Sequence, residues 1–351
     1  MRAARFHGRK DIRIEDVAEP ELRPGTVAID VAWCGICGTD LHEYLEGPIF
    51  IPAHGHPHPL TGEDTPVTMG HEFSGTVSAV GEGVDDLAVG DGVVVEPYVV
   101  CDECPPCREG NYHLCTRMGF IGLAGGGGGL SEKVVVPRRW VHPVGDMPLD
   151  QAALIEPLSV AHHAVERSGA RSGQTAIVGG SGPIGLLVAA VLRGMGVTVI
   201  VSEVSSARIE RAQAVADHVL NPRDGSIGDR VRELTDGLGA DLGFECAGVN
   251  AVLDDVLDAV RPAGVVVNVS IWGAPATVDM QKLVLKEIDL RGTIAYVRDH
   301  AAAIALVQDG TVDLAPFITG RIALDDLVDE GLHTLIDHTD TAVKILVSPS
   351  A

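Results

Sequence analysis

The spacing of apolar and polar residues changes character near residue 150. Up to about residue 100, apolar positions fall in short β-rich runs (27–32, 75–81 and 92–95) separated by Gly and Pro, with little helical periodicity. That pattern predicts a β-rich module carrying loops. A further strand is expected at 131–137, and 151–167 has helical spacing, with Pro157 marking a helix start or kink. From Thr175 the chain alternates regularly. A strand at 175–178 leads through glycines into an apolar helix at 186–195, then into a strand at 197–202 that ends at Glu203. Further strands are expected at 241–246, 264–270 and 289–294, and helices at 251–260 and 300–309. The run 342–347 reads as a closing strand able to rejoin the first module. The expected fold is α/β plus β. A β-rich domain (1–157 and 297–351) carries an inserted doubly wound parallel-sheet domain (158–296).

Composition narrows the function classes. A chain of 351 residues, 46% hydrophobic and 21% charged, has material for two cores. The formal charge of −23 argues against nucleic acid or anionic membranes as partners. No apolar run is long enough to span a bilayer, and no apolar block follows the N-terminal charges, so a cytoplasmic protein without a signal peptide is expected. Only five lysines are present, which decides nothing about function.

Four of the seven cysteines, Cys101, Cys104, Cys107 and Cys115, lie in one short block. Four thiolates can close a tetrahedral shell, so this block reads as a structural zinc site, with an iron–sulfur cluster as the competing reading. Cys34 and Cys37 have the spacing of a zinc knuckle or a redox pair, and no thioredoxin-like context supports the redox reading. Gly70-His71-Glu72 offers an imidazole and a carboxylate to one small volume. Thr39 and His42 follow Cys37 closely. The alternating His54, His56 and His58 sit among prolines and read as a rigid surface loop. The run Gly125 to Gly129 precedes a strand rather than a helix, so it reads as a flexible or closely packed turn, not a nucleotide loop. Cys246 stands alone and reads as a small buried hydrophobe.

Gly180-Ser181-Gly182-Pro183-Ile184-Gly185 is a Gly-x-Gly-x-x-Gly loop in its required strand-to-helix setting. Gly180 permits the turn, Gly182 lets a pyrophosphate approach, and Gly185 lets helix and strand pack. Glu203 at the end of the next strand can accept from a ribose diol and would repel a 2′-phosphate, favouring NAD over NADP. Pro183, Ile184, Arg208 and Ser270 complete the set of cofactor-binding candidates.

Together these stretches resemble the zinc-dependent medium-chain dehydrogenases over essentially the whole chain. The branch they resemble most is the 2,3-butanediol dehydrogenases (acetoin reductases). Residues 34–52, 58–62, 119–129 and 201–205 carry that narrower likeness. The Gly-Pro-Ile-Phe-Ile-Pro loop and the glycine run separate it from the sorbitol-type polyol dehydrogenases. The resemblance implies a GroES-like catalytic domain and a Rossmann domain. It implies a catalytic zinc held by Cys37, His71 and the carboxylates Glu72 and Glu156, either directly or through water, with Cys34 left to packing. It also implies a proton relay through Thr39 and His42, two zincs per chain, NAD as hydride acceptor, and a homodimer or homotetramer built through sheet edges of the cofactor domain. The expected reaction interconverts a vicinal diol and a hydroxyketone, (R,R)-2,3-butanediol and acetoin being the best match. A sorbitol- or xylitol-type polyol dehydrogenase is the alternative, and a non-enzymatic zinc regulatory protein a remote one.

Overall fold

The computed structural model describes residues 1–350 and divides into two compact units. The first joins Met1–Glu156 to the C-terminal segment from Asp313, and the second is Pro157–Val312.

The first unit is built on a seven-stranded sheet. Its central strand, Thr26–Gly35, pairs antiparallel with Glu72–Val80, with Lys133–Pro137 and with the C-terminal strand Lys344–Ser348. Lys344–Ser348 pairs in turn, in parallel, with Ile318–Ala323, a strand with no clear signal in the sequence. A three-stranded sheet lies beside these, with Arg2–Gly8 between Asp11–Asp16 and Val67–Thr68. Inward-facing Ile29, Val31, Phe73, Val77 and Leu346 are all but fully buried, the period-2 pattern expected of a sheet packed on a core. The register places Gly35 opposite Glu72 on one side and opposite Leu346 on the other. It therefore fixes which side chains meet at the top of the sheet.

The second unit is a six-stranded, wholly parallel sheet. Its order is His218–Leu220, Thr198–Ser202, Thr175–Gly179, Ala240–Glu245, Val260–Asn268, Asp289–Gly292. The first strand in sequence is thus central and the order reverses beside it, the doubly wound arrangement that binds dinucleotides at the reversal. Val199, Ile200 and Val201 are fully buried in succession, as strands covered on both faces should be.

Two boundaries differ from the sequence expectation. The helical stretch at 151–167 is two helices, Leu149–Ala152 and Ile155–Ser168, with Glu156 and Pro157 in the first turn of the second. Pro is tolerated there because its missing N–H would have no helical partner. Residues 297–312, placed with the first module by sequence, belong to the second unit. Asp299 clasps the helix Ile155–Ser168 through His162 (2.6 Å) and His163 (3.1 Å), and Thr311 packs on Gly194 of the helix Pro183–Gly194. Among the described residues no helix is long and apolar enough to cross a membrane.

Candidate metal centres and dinucleotide loop

Cys37 is the N-cap of the helix Gly38–Glu46, directly after the central strand. Asp40, one turn in, accepts from the Cys37 backbone N–H with Oδ2 at 2.9 Å, which fixes the cap. Its Oδ1 lies 3.7 Å from Nδ1 of His71. His71 is presented by a tight turn, since Gly70 has φ +95° and a Cβ there would lie 2.6 Å from Cys34 Sγ. The glycine run backs this turn: Gly129 N–H donates to Gly70 O at 2.7 Å, and a Cβ on Gly128 would fall 2.3 Å from Met69 O. It is a closely packed turn.

Donor atoms of Cys37, His71 and Glu72 lie within 4.8 Å of one another. Glu156 is buried and close enough to act electrostatically on His71, but it does not join that set. Both Glu72 oxygens accept from Lys344 Nζ, at 2.6 and 2.8 Å, and the ammonium also donates to Ile36 O at 3.1 Å. Gly35 lies between the two strands, and a Cβ there would fall 2.3 Å from Glu72 Oε2. Burial alone would lower the Lys344 pKa, but Glu72, Cys37 and Glu156 outweigh it and the net direction is upward. Burial likewise opposes a charged His71, and Asp40, Cys37 and Glu156 carry its pKa well above the ordinary value.

This pocket has the properties that fit a cation. Thiol, imidazole and carboxylate donors converge. Nδ1 of His71 and Oδ1 of Asp40 are buried without hydrogen bonds. With Nδ1 turned to Asp40, Nε2 is the ring atom left for a metal, the carboxylate–histidine arrangement that orients such ligands. Cys34 is fully buried. Burial first, then the Asp40 and Glu72 carboxylates, raise its thiol well above the ordinary range, and it is not among the converging donors.

Thr39 is half-buried beside Cys37, its Oγ1 3.8 Å from Sγ, and His42 one turn on is exposed. His54 and His56 are exposed and His58 packs against Gly119, so the three do not form a metal cluster among the described residues.

The sulfurs of Cys101, Cys104, Cys107 and Cys115 also lie within 4.8 Å of one another, and all cysteines are free thiols. Backbone N–H groups of Cys104, Cys101 and Arg117 donate to sulfurs of this lobe at 3.4 Å. The Cys101 thiol is lowered to about 6, chiefly by the Glu103 backbone. Four sulfurs leave no position for substrate, which suits a structural ion.

In the second unit Gly180 has φ +90°, and a Cβ on Gly185 would fall 2.0 Å from Gly180 O. Gly182 caps the helix Pro183–Gly194 with open space before it, and Pro183 and Ile184 form its first turn. Glu203 accepts from Ser181 N (3.0 Å) and Oγ (2.9 Å) with one oxygen, and from Val204 N (2.7 Å) and Ser205 N (3.0 Å) with the other. Burial works against its ionisation, yet these donors hold its carboxyl below the usual range. It is a fixed anion 3.9 Å from Arg208. Ser270 donates to Glu245, the residue that ends Ala240–Glu245.

Sequence reasoning missed Asp40 and Lys344 as partners. Lys344 did leave a signal, a lone charge in the apolar strand 342–347.

Residues 23–146 match the model of the alcohol dehydrogenase GroES-like domain, and residues 183–309 that of the zinc-binding dehydrogenases. The chain is 60% identical to the (R,R)-butanediol dehydrogenase of Neisseria gonorrhoeae, with 100% of both chains covered. It is 31% identical to the sorbitol dehydrogenase of Bacillus subtilis, over 100% of this chain and 98% of that one. The crystal structure of 2R,3R-butanediol dehydrogenase from Bacillus subtilis superposes with a TM-score of 0.93 at 44% identity, covering 99% of each chain. With its GroES-like and Rossmann halves, its thiol–imidazole–carboxylate pocket and its dinucleotide loop, the chain belongs to the zinc-dependent medium-chain alcohol dehydrogenases.

Proposed function

We propose that the protein interconverts (R,R)-2,3-butanediol and acetoin, using NAD. The observation that carries this is the pocket of Cys37, His71 and Glu72, which holds fewer donors than a closed site and has a second carboxylate, Glu156, at hand. Cys37 and His71 would hold zinc, with Glu156 and Glu72 as the exchangeable carboxylates. When bound, the metal supplies Lewis acidity that lowers the pKa of a substrate hydroxyl. The Asp40 carboxylate, 3.7 Å from Nδ1, favours the ring proton on that side and leaves Nε2 for the metal. Thr39 takes the hydroxyl proton, and His42, exposed one turn further along the helix, hands it to solvent. NAD, when bound, would supply the hydride acceptor, so that diol and NAD become hydroxyketone, NADH and a proton. Gly180, Gly182, Pro183, Ile184 and Gly185 would cradle the pyrophosphate, and Glu203 with Arg208 would take the adenosine ribose. Ser270, pinned to Glu245, supports the loop beyond the strand Val260–Asn268.

A homo-oligomer is part of this reading. The strand Asp289–Gly292 is a sheet edge with Leu290 exposed, and Val284 and Leu285 of the preceding helix Met280–Lys286 are exposed too. An edge of that kind suits self-pairing with a second copy. Free thiols throughout fit a reducing cytoplasm.

Initial rates on 2,3-butanediol, sorbitol and xylitol, each with NAD and with NADP, test the assignment. The expected order is butanediol first by at least about tenfold, with NAD preferred because the fixed Glu203 anion repels a 2′-phosphate. Activity confined to the long polyols would move the protein to the sorbitol-type branch.

A further inference from the structure

Ser181 stands between Gly180 and Gly182 of the dinucleotide loop, a position where the turn itself requires no particular side chain. It is 1% exposed, and a hydroxyl taken out of water needs a partner. A serine in such a loop reads first as a phosphate ligand. Its proton goes elsewhere. Ser181 Oγ donates to Glu203 Oε2 at 2.9 Å, and the Ser181 backbone N–H donates to the same oxygen at 3.0 Å. Both donors of one residue thus converge on one carboxylate oxygen, 22 residues further along the chain.

The main chain on either side of this bond is fixed without it. Gly180 N–H donates to Ser202 O at 2.9 Å, which ties the loop to the strand Thr198–Ser202. Glu203 N–H donates to Leu220 O at 3.0 Å in the neighbouring strand. The hydroxyl therefore sets the side chain of Glu203 rather than the path of the backbone. Oε1 is taken by the N–H groups of Val204 and Ser205. Oε2 is the oxygen whose surroundings are side chains. The Ser181 hydroxyl bonds it, and the Arg208 guanidinium, on the helix Ser206–Ala212, lies 3.9 Å away, longer than a hydrogen bond. Without the hydroxyl, Oε2 would have a vacant acceptor position and a cation beside it. Closure to a charge-assisted pair would neutralise the anion that a 2′-phosphate has to meet.

We infer that Ser181 is a positioning residue for cofactor choice. Its hydroxyl holds Glu203 Oε2 against the glycine loop and apart from Arg208, so that the adenosine ribose meets an unneutralised carboxylate. This rests on the NAD reading of Glu203 given above. It separates two roles within the loop: the glycines and the helix start serve the pyrophosphate, which NAD and NADP share, and Ser181 serves the one position at which they differ.

The test is the dissociation constants of NADH and NADPH, read from dihydronicotinamide fluorescence of the binary complexes without substrate. The wild type should bind NADH more tightly. Ser181→Ala keeps the backbone donor and removes the hydroxyl. It should narrow the NADH:NADPH preference about tenfold, mainly through tighter NADPH, with the NADH value within about threefold of wild type. In a Glu203→Gln background the same substitution should leave the ratio unchanged, because the hydroxyl acts through the carboxylate. Ser181→Gly removes the same hydroxyl and decides the matter if Ser181→Ala does not fold. Equal weakening of both cofactors would make Ser181 a phosphate ligand or a packing group and overturn the inference. So would an unchanged ratio, or the same change of ratio without the Glu203 charge. A wild type that binds NADPH as tightly as NADH would overturn the reading of Glu203, and this inference with it.

Discussion

The His71→Ala variant is expected to fold, to bind one metal equivalent where the two donor clusters of the wild type bind two, and to lose on the order of 10³ or more in kcat/KM. The magnitude follows from the chemistry. A Lewis acid contributes several kcal/mol of charge stabilisation, and each 1.36 kcal/mol is about tenfold in rate. Without the imidazole the pocket keeps one thiol, a carboxylate already tied to Lys344, and Glu156, which stands outside the converging set, too few donors to hold the ion. The second cluster is untouched, because its four sulfurs come from one loop and share no residue with the first. Metal analysis, far-ultraviolet circular dichroism and steady-state rates together check this. Two equivalents retained with activity lost would mean that His71 serves catalysis without holding the metal. Activity retained with one equivalent would remove the catalytic role of the pocket.

Lys344→Met is expected to destabilise the first unit by about 3–5 kcal/mol, because it strands the buried Glu72 carboxylate. Both partners are almost completely buried, at 4% and 1% side-chain exposure, so water cannot replace the ammonium. The folded pKa of Lys344 lies above its ordinary value. The pair's contribution is therefore complete below the unfolded lysine pKa and is lost only as pH rises through the folded one. The deficit should be flat from about pH 6 to 9. Adding Glu72→Gln removes the stranded charge, so the double variant should lose less than the two single variants summed. Activity of Lys344→Met should also fall by roughly 10- to 100-fold, the usual effect of removing a partner behind a metal ligand. Denaturant titrations of the four proteins in the cycle give the coupling directly. A single variant within about 1 kcal/mol of wild type would contradict the account of the pair.

Those two residues also mark where the sequence was legible and where it was not. The four-cysteine lobe and the dinucleotide loop could be read because each is local. Their residue types, spacing and strand–helix setting lie within a few tens of residues. His71 could be picked out by the chemistry of its short motif, whereas Cys37 rather than Cys34 could be picked out only through the family resemblance. The Lys344 partnership was not, because it joins residues 272 positions apart and depends on the register that sets Gly35 between two strands. The approach of Asp40 to His71 was not legible either, because it depends on the turn at Gly70, which the glycine run supports from behind. The strand Ile318–Ala323 has Gly320 and Arg321 at its middle, which break its apolar pattern, so propensity alone did not mark it. The boundary near 297 failed for a similar reason. Asp299 and Thr311 belong to the second unit through contacts with helices more than a hundred residues earlier, and no composition change marks that.

The most direct test of the central claim is chiral analysis of the products of racemic acetoin reduction with NADH. The account predicts that every new carbinol centre is R, giving (R,R)-butanediol and the meso isomer, with NADH consumed mole for mole. (S,S)-butanediol among the products, or no NADH consumption in the zinc-loaded enzyme, would contradict it.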